Sequence, residues 1–149
     1  VFRGNHSINL DGKGRFSMPT KYREDLREHC DGRLVVTADR ARCLLLYPLP
    51  EWEEVERKLV KLPYSSEQAT AFKRFMIGHA SECDMDNHGK VLLPETLRRF
   101  ANLEKHIVLC SQINKFEVWA EDAWEATRDK WLQEGDLKEL MEVTGDLAI

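Results

Sequence analysis

The chain repeats itself. Residues Ile8–Pro19 lie over Cys83–Pro94 at a constant offset of 75 residues, so that Asp11, Gly14, Arg15 and Pro19 fall on Asp86, Gly89, Lys90 and Pro94. Arg23 falls on Arg98 at the same offset, and Tyr47, Trp52 and Lys58 fall on Trp119, Trp124 and Lys130 at an offset of 72, a difference that fits a trimmed loop. A duplicated unit constrains the fold more than any local propensity does, because the two copies share one architecture and must bury matching faces.

Each copy opens with a strand-like run, a polar turn holding glycine, and a second strand-like run that ends at proline, the pattern of a hairpin. Pro19 and Pro94 suit the first turn of a short helix, whose apolar positions Tyr22 and Leu26, or Leu97 and Ala101, lie four apart on one face. Two further strands follow in each copy, Leu34 to Thr37 with Cys43 to Tyr47, and Ile107 to Leu109 with Phe116 to Trp119. Amphipathic helices marked by Trp52, Val55 and Leu59, and by Trp124 and Trp131, close the copies. Between them, Ser65-Ser66-Glu67-Gln68 has the form of a capping box with Ser65 as N-cap, leading into a stripe of Ala69, Phe72 and Met76. A last helix is expected around Leu137, Leu140 and Met141. The fold class is therefore mainly β with flanking helices (α+β): unit 1 over 5–52, a helical connector over 53–79, unit 2 over 81–124 and a C-terminal helical segment over 125–149. So small a sheet per copy cannot bury much apolar area. The unbroken run Leu44-Leu45-Leu46 reads as a strand covered on both faces, which fits an interlocked or oligomeric assembly.

No stretch reaches the ~20 apolar residues of a membrane span. The opening Val1-Phe2-Arg3-Gly4-Asn5 lacks the charged leader and apolar core of a secretory signal, so the expected compartment is the cytoplasm. Cys30, Cys43, Cys83 and Cys110 are scattered singly and read as reduced packing residues, and His79 with Cys83 falls short of the four ligands of a closed zinc site. The net charge of −4 disfavours a nucleic-acid partner at first sight, but the charge is uneven. Residues 1–23 set Arg3, Lys13, Arg15, Lys21 and Arg23 against Asp11 alone, whereas residues 76–149 carry 8 basic and 15 acidic residues. A basic edge on an acidic body is what a confined DNA-binding face produces, and it is also a common accident of surface composition.

The turn Asp11-Gly12-Lys13-Gly14-Arg15 is the sharpest candidate site. Its glycines permit positive φ, Asp11 can accept hydrogen bonds from the turn amides, and Lys13 and Arg15 project from a stiff base. Arginine can bond guanine O6 and N7 together in the major groove, while lysine neutralises phosphate as a point charge. Taken alone, the same turn also fits a solvated loop charged for solubility.

These residues resemble the MraZ family of bacterial transcriptional regulators, whose two tandem AbrB-like (SpoVT-AbrB) units each carry a D-x-x-G-R turn followed by a proline-started helix. The resemblance extends to Phe2-Arg3-Gly4, to Leu44-Leu45-Leu46-Tyr47-Pro48-Leu49-Pro50-Glu51-Trp52, to Gly78-His79-Ala80-Ser81-Glu82-Cys83 and to Asn114-Lys115-Phe116-Glu117-Val118-Trp119. It implies a swapped-hairpin β fold and a ring-shaped homo-oligomer. It also implies binding to G-rich repeats in double-stranded DNA upstream of the division and cell-wall gene cluster, mainly as a repressor and with a nucleoid location. Carried over by residue, Asp11, Gly14 and Arg15 match the family turn, with Lys13 and Arg3 as helpers in DNA contact. The second copy keeps Asp86 and Gly89 but has Lys90 where the family pattern has arginine; lysine lacks the bidentate fork, so a structural or phosphate-contacting role is expected there. A ring would also compensate for the low charge per subunit, since several turns on several repeats act at high effective concentration.

Three other readings compete. Asp84, Asp86, Gly89 and Glu95 line up with an EF-hand calcium loop, although His88 replaces an oxygen ligand and Pro94 interrupts the pattern. An enzyme would need a constellation that is missing: there is no G-x-S-x-G, no H-E-x-x-H and no P-loop, and His6, His29, His79, His88 and His106 stand in unrelated contexts. No cofactor, metal, membrane or small-molecule substrate is expected. An oligomerisation or antitoxin-like interaction module without DNA readout remains open on sequence grounds.

Overall fold

The computed structural model describes residues 1–135, 137–145 and 147. The elements in chain order are β1 (Asn5–Asn9), β2 (Arg15–Ser17), α1 (Thr20–Cys30), β3 (Leu34–Ala38), β4 (Leu44–Pro48), α2 (Leu49–Val60), α3 (Glu67–Gly78), β5 (Ser81–Glu82), β6 (Lys90–Leu92), α4 (Glu95–Phe100), β7 (His106–Ser111), β8 (Phe116–Ala120), α5 (Glu121–Glu134) and α6 (Leu137–Thr144). This is the α+β class expected from the sequence, and each copy contributes four strands. Among the described residues no helix is long and apolar enough to cross a membrane.

The strands flanking each polar turn do not pair with one another, which corrects the simple hairpin inferred from alternation. The six-stranded antiparallel sheet runs β1-β7-β8-β4-β3-β5, and β2 pairs with β6 in a separate ribbon. Each copy therefore lends its first strand to the other copy's sheet, β1 to β7 and β5 to β3. The registers reveal a pseudo-twofold axis. Phe16 pairs with Val91, its own counterpart in the repeat, and Leu45 pairs with its counterpart Glu117. One chain thus builds the exchanged arrangement that two identical chains would make as a dimer.

Alternating residues of the sheet face two different cores, as the period of two requires. On one face Leu34, Val36, Leu44, Leu46, Ile107, Leu109, Phe116 and Val118 pack under the β2–β6 ribbon (Phe16, Val91), α1 (Tyr22, Leu26) and α4 (Leu97). On the other, Val35, Leu45 and Tyr47 meet Trp52 and Leu59 of α2 and Met76 of α3. Cys43, Val108, Cys110 and Trp119 pack with Ala123 and Trp124 of α5. The double burial of Leu44-Leu45-Leu46 is thus achieved within the chain. Thr37, the buried polar residue of β3, is satisfied by donating to the Met76 carbonyl at 2.7 Å.

The remaining helical expectations need smaller corrections. Pro19 and Pro94 are the residues before the first helical turn, not within it, and each leads into its helix with extended ψ. The N-cap of α3 is Ser66, whose hydroxyl accepts from Ala69 N–H at 3.1 Å, so the box is shifted by one from Ser65. Phe72 is exposed and Met76, with Phe75 beside it, makes the contact, because α3 touches the sheet only near its C-terminal end. The second copy is three residues shorter because α4 has 6 residues against 11 in α1, while the loop that follows it, 101–105, is two residues longer than 31–33. Helix α5 buries none of its side chains fully and leaves Trp131 59% exposed, and Leu137, Leu140 and Met141 of α6 are exposed as well.

Candidate nucleic-acid interface

Asp11 organises the first turn. Its Oδ1 accepts the N–H groups of Lys13 and Arg15, both at 2.9 Å, and its Oδ2 accepts Arg15 Nε at 2.9 Å. The backbone closes the loop with Asp11 N–H donating to the Arg15 carbonyl at 2.8 Å and Gly14 N–H donating to the Asp11 carbonyl at 3.0 Å. Gly14 adopts φ +85°, a conformation that costs a residue with a Cβ roughly 1–2 kcal/mol. The carboxylate fixes the plane of the Arg15 guanidinium through Nε alone. Among the described residues neither Arg15 Nη has a hydrogen-bond partner, so the outer edge of the fork is free. Lys13 is exposed beside it.

The Arg15 N–H bond to Asp11, followed by the Arg15 side chain and the Lys13 N–H, holds the Asp11 carboxyl down at about 2 from its ordinary 3.8. Because the folded value is depressed, the clamp's contribution to stability is fully present above pH 3.8 and disappears as pH falls through about 2. A carbon-detected NMR titration of the Asp11 carboxyl should therefore show a midpoint near 2, and a midpoint at the ordinary 3.8 would mean that the clamp does not form in solution.

The second turn repeats the frame and changes the business end. Asp86 Oδ1 accepts His88 N–H at 2.8 Å and Lys90 N–H at 2.9 Å, Gly89 has φ +77°, and the Asp86 carboxyl is lowered, the Lys90 N–H being the largest cause. Lys90 does not reach out as Arg15 does: its Nζ donates to Ser17 Oγ across the ribbon at 2.6 Å. The turn is tied further by Arg27 Nη2, which donates to the carbonyls of Asp86 and Asn87 at 3.2 and 3.3 Å.

The turns hold two cross-repeat contacts that the sequence reading missed. The Arg98 guanidinium occupies the place a Cβ would take on Gly14, 2.5 Å from that position to its central carbon, while Arg98 Nε donates to the Leu93 carbonyl at 2.9 Å. Arg23 does the same over Gly89, its Nε donating to the Met18 carbonyl at 2.7 Å. The signal was present in the repeat, since Arg23 and Arg98 coincide, but nothing local says that each arginine covers the other copy's turn.

Arg3 is not brought to the first turn. It precedes β1 and Asp11 follows it, and the five extended residues of that strand span about 16 Å. The Arg3 carbonyl instead accepts from the Tyr22 hydroxyl and from Lys21 Nζ, which makes a separate basic spot at the other end of β1. The calcium-loop pattern is dispersed as well: Asp84 Oδ1 accepts Leu34 N–H at 3.1 Å, Asp86 is spent on its own turn, Glu95 pairs with Arg99, and Lys90–Leu92 is an extended strand. His79 Nδ1 is bonded to the Phe75 carbonyl, and Cys83 packs in the core beneath the ribbon. Among the described residues no group of three His, Cys, Asp or Glu is placed to hold a metal ion.

The geometry defines a class: a pseudo-twofold protein of exchanged strands that carries two carboxylate-clamped, glycine-framed turns, one of which presents an arginine. Comparison with known proteins finds the same duplication. The family described as "MraZ protein, putative antitoxin-like" matches the chain twice, over residues 1–75 and 76–142. The chain is 53% identical over 148 residues to the transcriptional regulator MraZ of Methylococcus capsulatus, covering 99% of this chain and 97% of that protein. It is 50% identical to that of Thioalkalivibrio sulfidiphilus, over 91% of each chain, and 47% identical to that of Alkalilimnicola ehrlichii over the whole length of both. The chain belongs to the MraZ family. Each of these relatives is described as a regulator and none as an enzyme.

Proposed function

We propose that the protein is a sequence-specific DNA-binding transcriptional regulator that uses the Asp11–Arg15 turn to read bases. The observation that carries the reading is the Arg15 fork, oriented through Nε by Asp11 and free at both Nη nitrogens among the described residues. That geometry matches the paired acceptors O6 and N7 of guanine, and Lys13 stands beside it for phosphate. The regulatory role is supported by the names of the relatives, and the operator class, G-rich repeats upstream of the division and cell-wall cluster bound mainly in repression at the nucleoid, by the family resemblance. Assembly into a ring of identical subunits supplies avidity that one turn lacks. Exposed Trp131, Leu132 and Met141 on the outer helices are the kind of surface such an assembly would use. The second turn serves as structure or as a phosphate contact, with Lys90 drawn back to Ser17.

The test is a salt series with the intact protein on a labelled fragment of its own upstream region and on a shuffled duplex of equal length. The upstream fragment should bind about 10³-fold tighter or more, with affinity falling steeply as salt rises. Equal affinity for the two duplexes, or no binding, would put the interaction-module reading in its place.

A further inference from the structure

We propose that the DNA-contacting face of the first turn is completed by the second repeat, through Arg98 of α4. Arg98 is a positioning residue for Gly14 and also presents its charge to the phosphate backbone from the base of the turn. The inference rests on the DNA reading of the turn given above.

Three observations carry it. Gly14 is buried and at positive φ, and the space its missing side chain leaves is filled by the Arg98 guanidinium. A hydrogen-bonded chain ties the parts together: Leu93 N–H donates to the Gly14 carbonyl at 3.0 Å, and Arg98 Nε donates to the Leu93 carbonyl at 2.9 Å. The turn that aims Arg15 therefore leans on a side chain about 85 residues further along the chain, and a shift of Arg98 moves the base of the turn. Finally, Arg98 is only half-buried. It lines an open cleft with Asp11, Gly12, Glu104 and Lys105, and among the described residues its Nη nitrogens have no hydrogen-bond partner, which leaves a cation at the base of the first turn able to meet a phosphate.

The counterpart turn is tied down by more bonds. There Arg23 lies over Gly89, Arg27 adds two bonds to the turn carbonyls, and Lys90 is held by Ser17. Among the described residues no arginine side chain bonds to the carbonyls of the first turn as Arg27 does to those of the second, so the support from the opposite repeat rests on Arg98.

The experiment uses the full chain as wild type, Arg98→Gln, Arg98→Lys and Arg15→Ala, each checked for mass by light scattering. Each is then titrated against the upstream fragment and the shuffled duplex across a salt series. Arg98→Gln keeps a donor for the Leu93 carbonyl and removes the charge; it should weaken binding to both duplexes by about tenfold and lower the salt slope by about one per engaged turn. Arg98→Lys should recover the slope but not the full preference for the upstream fragment, because an ammonium does not fill the planar place under Gly14. If Arg98→Gln matches the wild type in affinity and slope while Arg15→Ala loses the upstream preference, the DNA reading stands and this inference is overturned. If no variant, wild type included, prefers the upstream fragment, the DNA reading itself fails and takes this inference with it. Should Arg98→Gln fail to assemble, Arg98→Lys decides: a wild-type preference in that variant removes the positioning role.

Discussion

Phe116→Ala is expected to cost about 3–5 kcal/mol of stability and to melt both repeats in one transition. Phe116, in β8 of the second repeat, is fully buried, and the rings it touches belong to the first: Phe2 at 4.4 Å and Tyr22 at 5.3 Å between centroids. Removing the ring leaves a cavity at the joint between the copies, not inside either one. Since a domain of this size is stable by only about 5–15 kcal/mol, the loss is a large part of the whole. Urea unfolding followed by tryptophan fluorescence and by far-UV circular dichroism gives the answer. Coincident transitions at a much lower midpoint are expected, and two separate transitions, or a loss below about 1 kcal/mol, would mean that the repeats are independent domains.

The element types were legible because they depend on local pattern. Short apolar runs at Leu34 to Thr37 and Ile107 to Leu109 report strands, and the apolar pairs Tyr22 with Leu26 and Leu97 with Ala101 report which helix face is buried. Alternation does not report which strand lies alongside. That is why β1 and β2 read as a hairpin when they pair with β7 and β6 of the other copy. The repeat itself held part of the missing information, because Phe16 against Val91 and Leu45 against Glu117 are the self-pairings a twofold relation allows. Apolar stripes on α3, α5 and α6 misled in a different way. Phe72, Trp131 and Met141 keep helical spacing, yet each of these side chains is exposed in the single chain.

For the site, the sequence located both turns and singled out Asp11, Gly14, Arg15, Asp86, Gly89 and Lys90 correctly as turn residues, because glycine and aspartate carry turn geometry in their own chemistry. The family resemblance added Arg3 as a helper in DNA contact, and β1 places Arg3 at its other end from the turn. The sequence did not place Arg23 and Arg98 at the turns, because the glycine that each covers belongs to the opposite repeat. The different fates of Arg15 and Lys90 also depend on surroundings, since Ser17 lies across the ribbon from Lys90 in the β2–β6 register.

Base reading by the first turn depends on the Arg15 fork, and Arg15→Ala removes it with the smallest change. Alanine removes the fork, while Asp11 Oδ1 keeps its bonds to the amides of residues 13 and 15, so the turn and the assembly should survive. One bidentate contact is worth about 1–3 kcal/mol of discrimination, and several turns acting together on one operator should raise the loss beyond about 100-fold. The direct measurement is the affinity of wild type and Arg15→Ala for the labelled upstream fragment and a shuffled duplex across a salt series, at equal mass by light scattering. The variant should keep weak, salt-dependent binding to both duplexes and lose its preference for the upstream fragment. A variant that discriminates between the two as well as the wild type does would contradict base reading by the first turn.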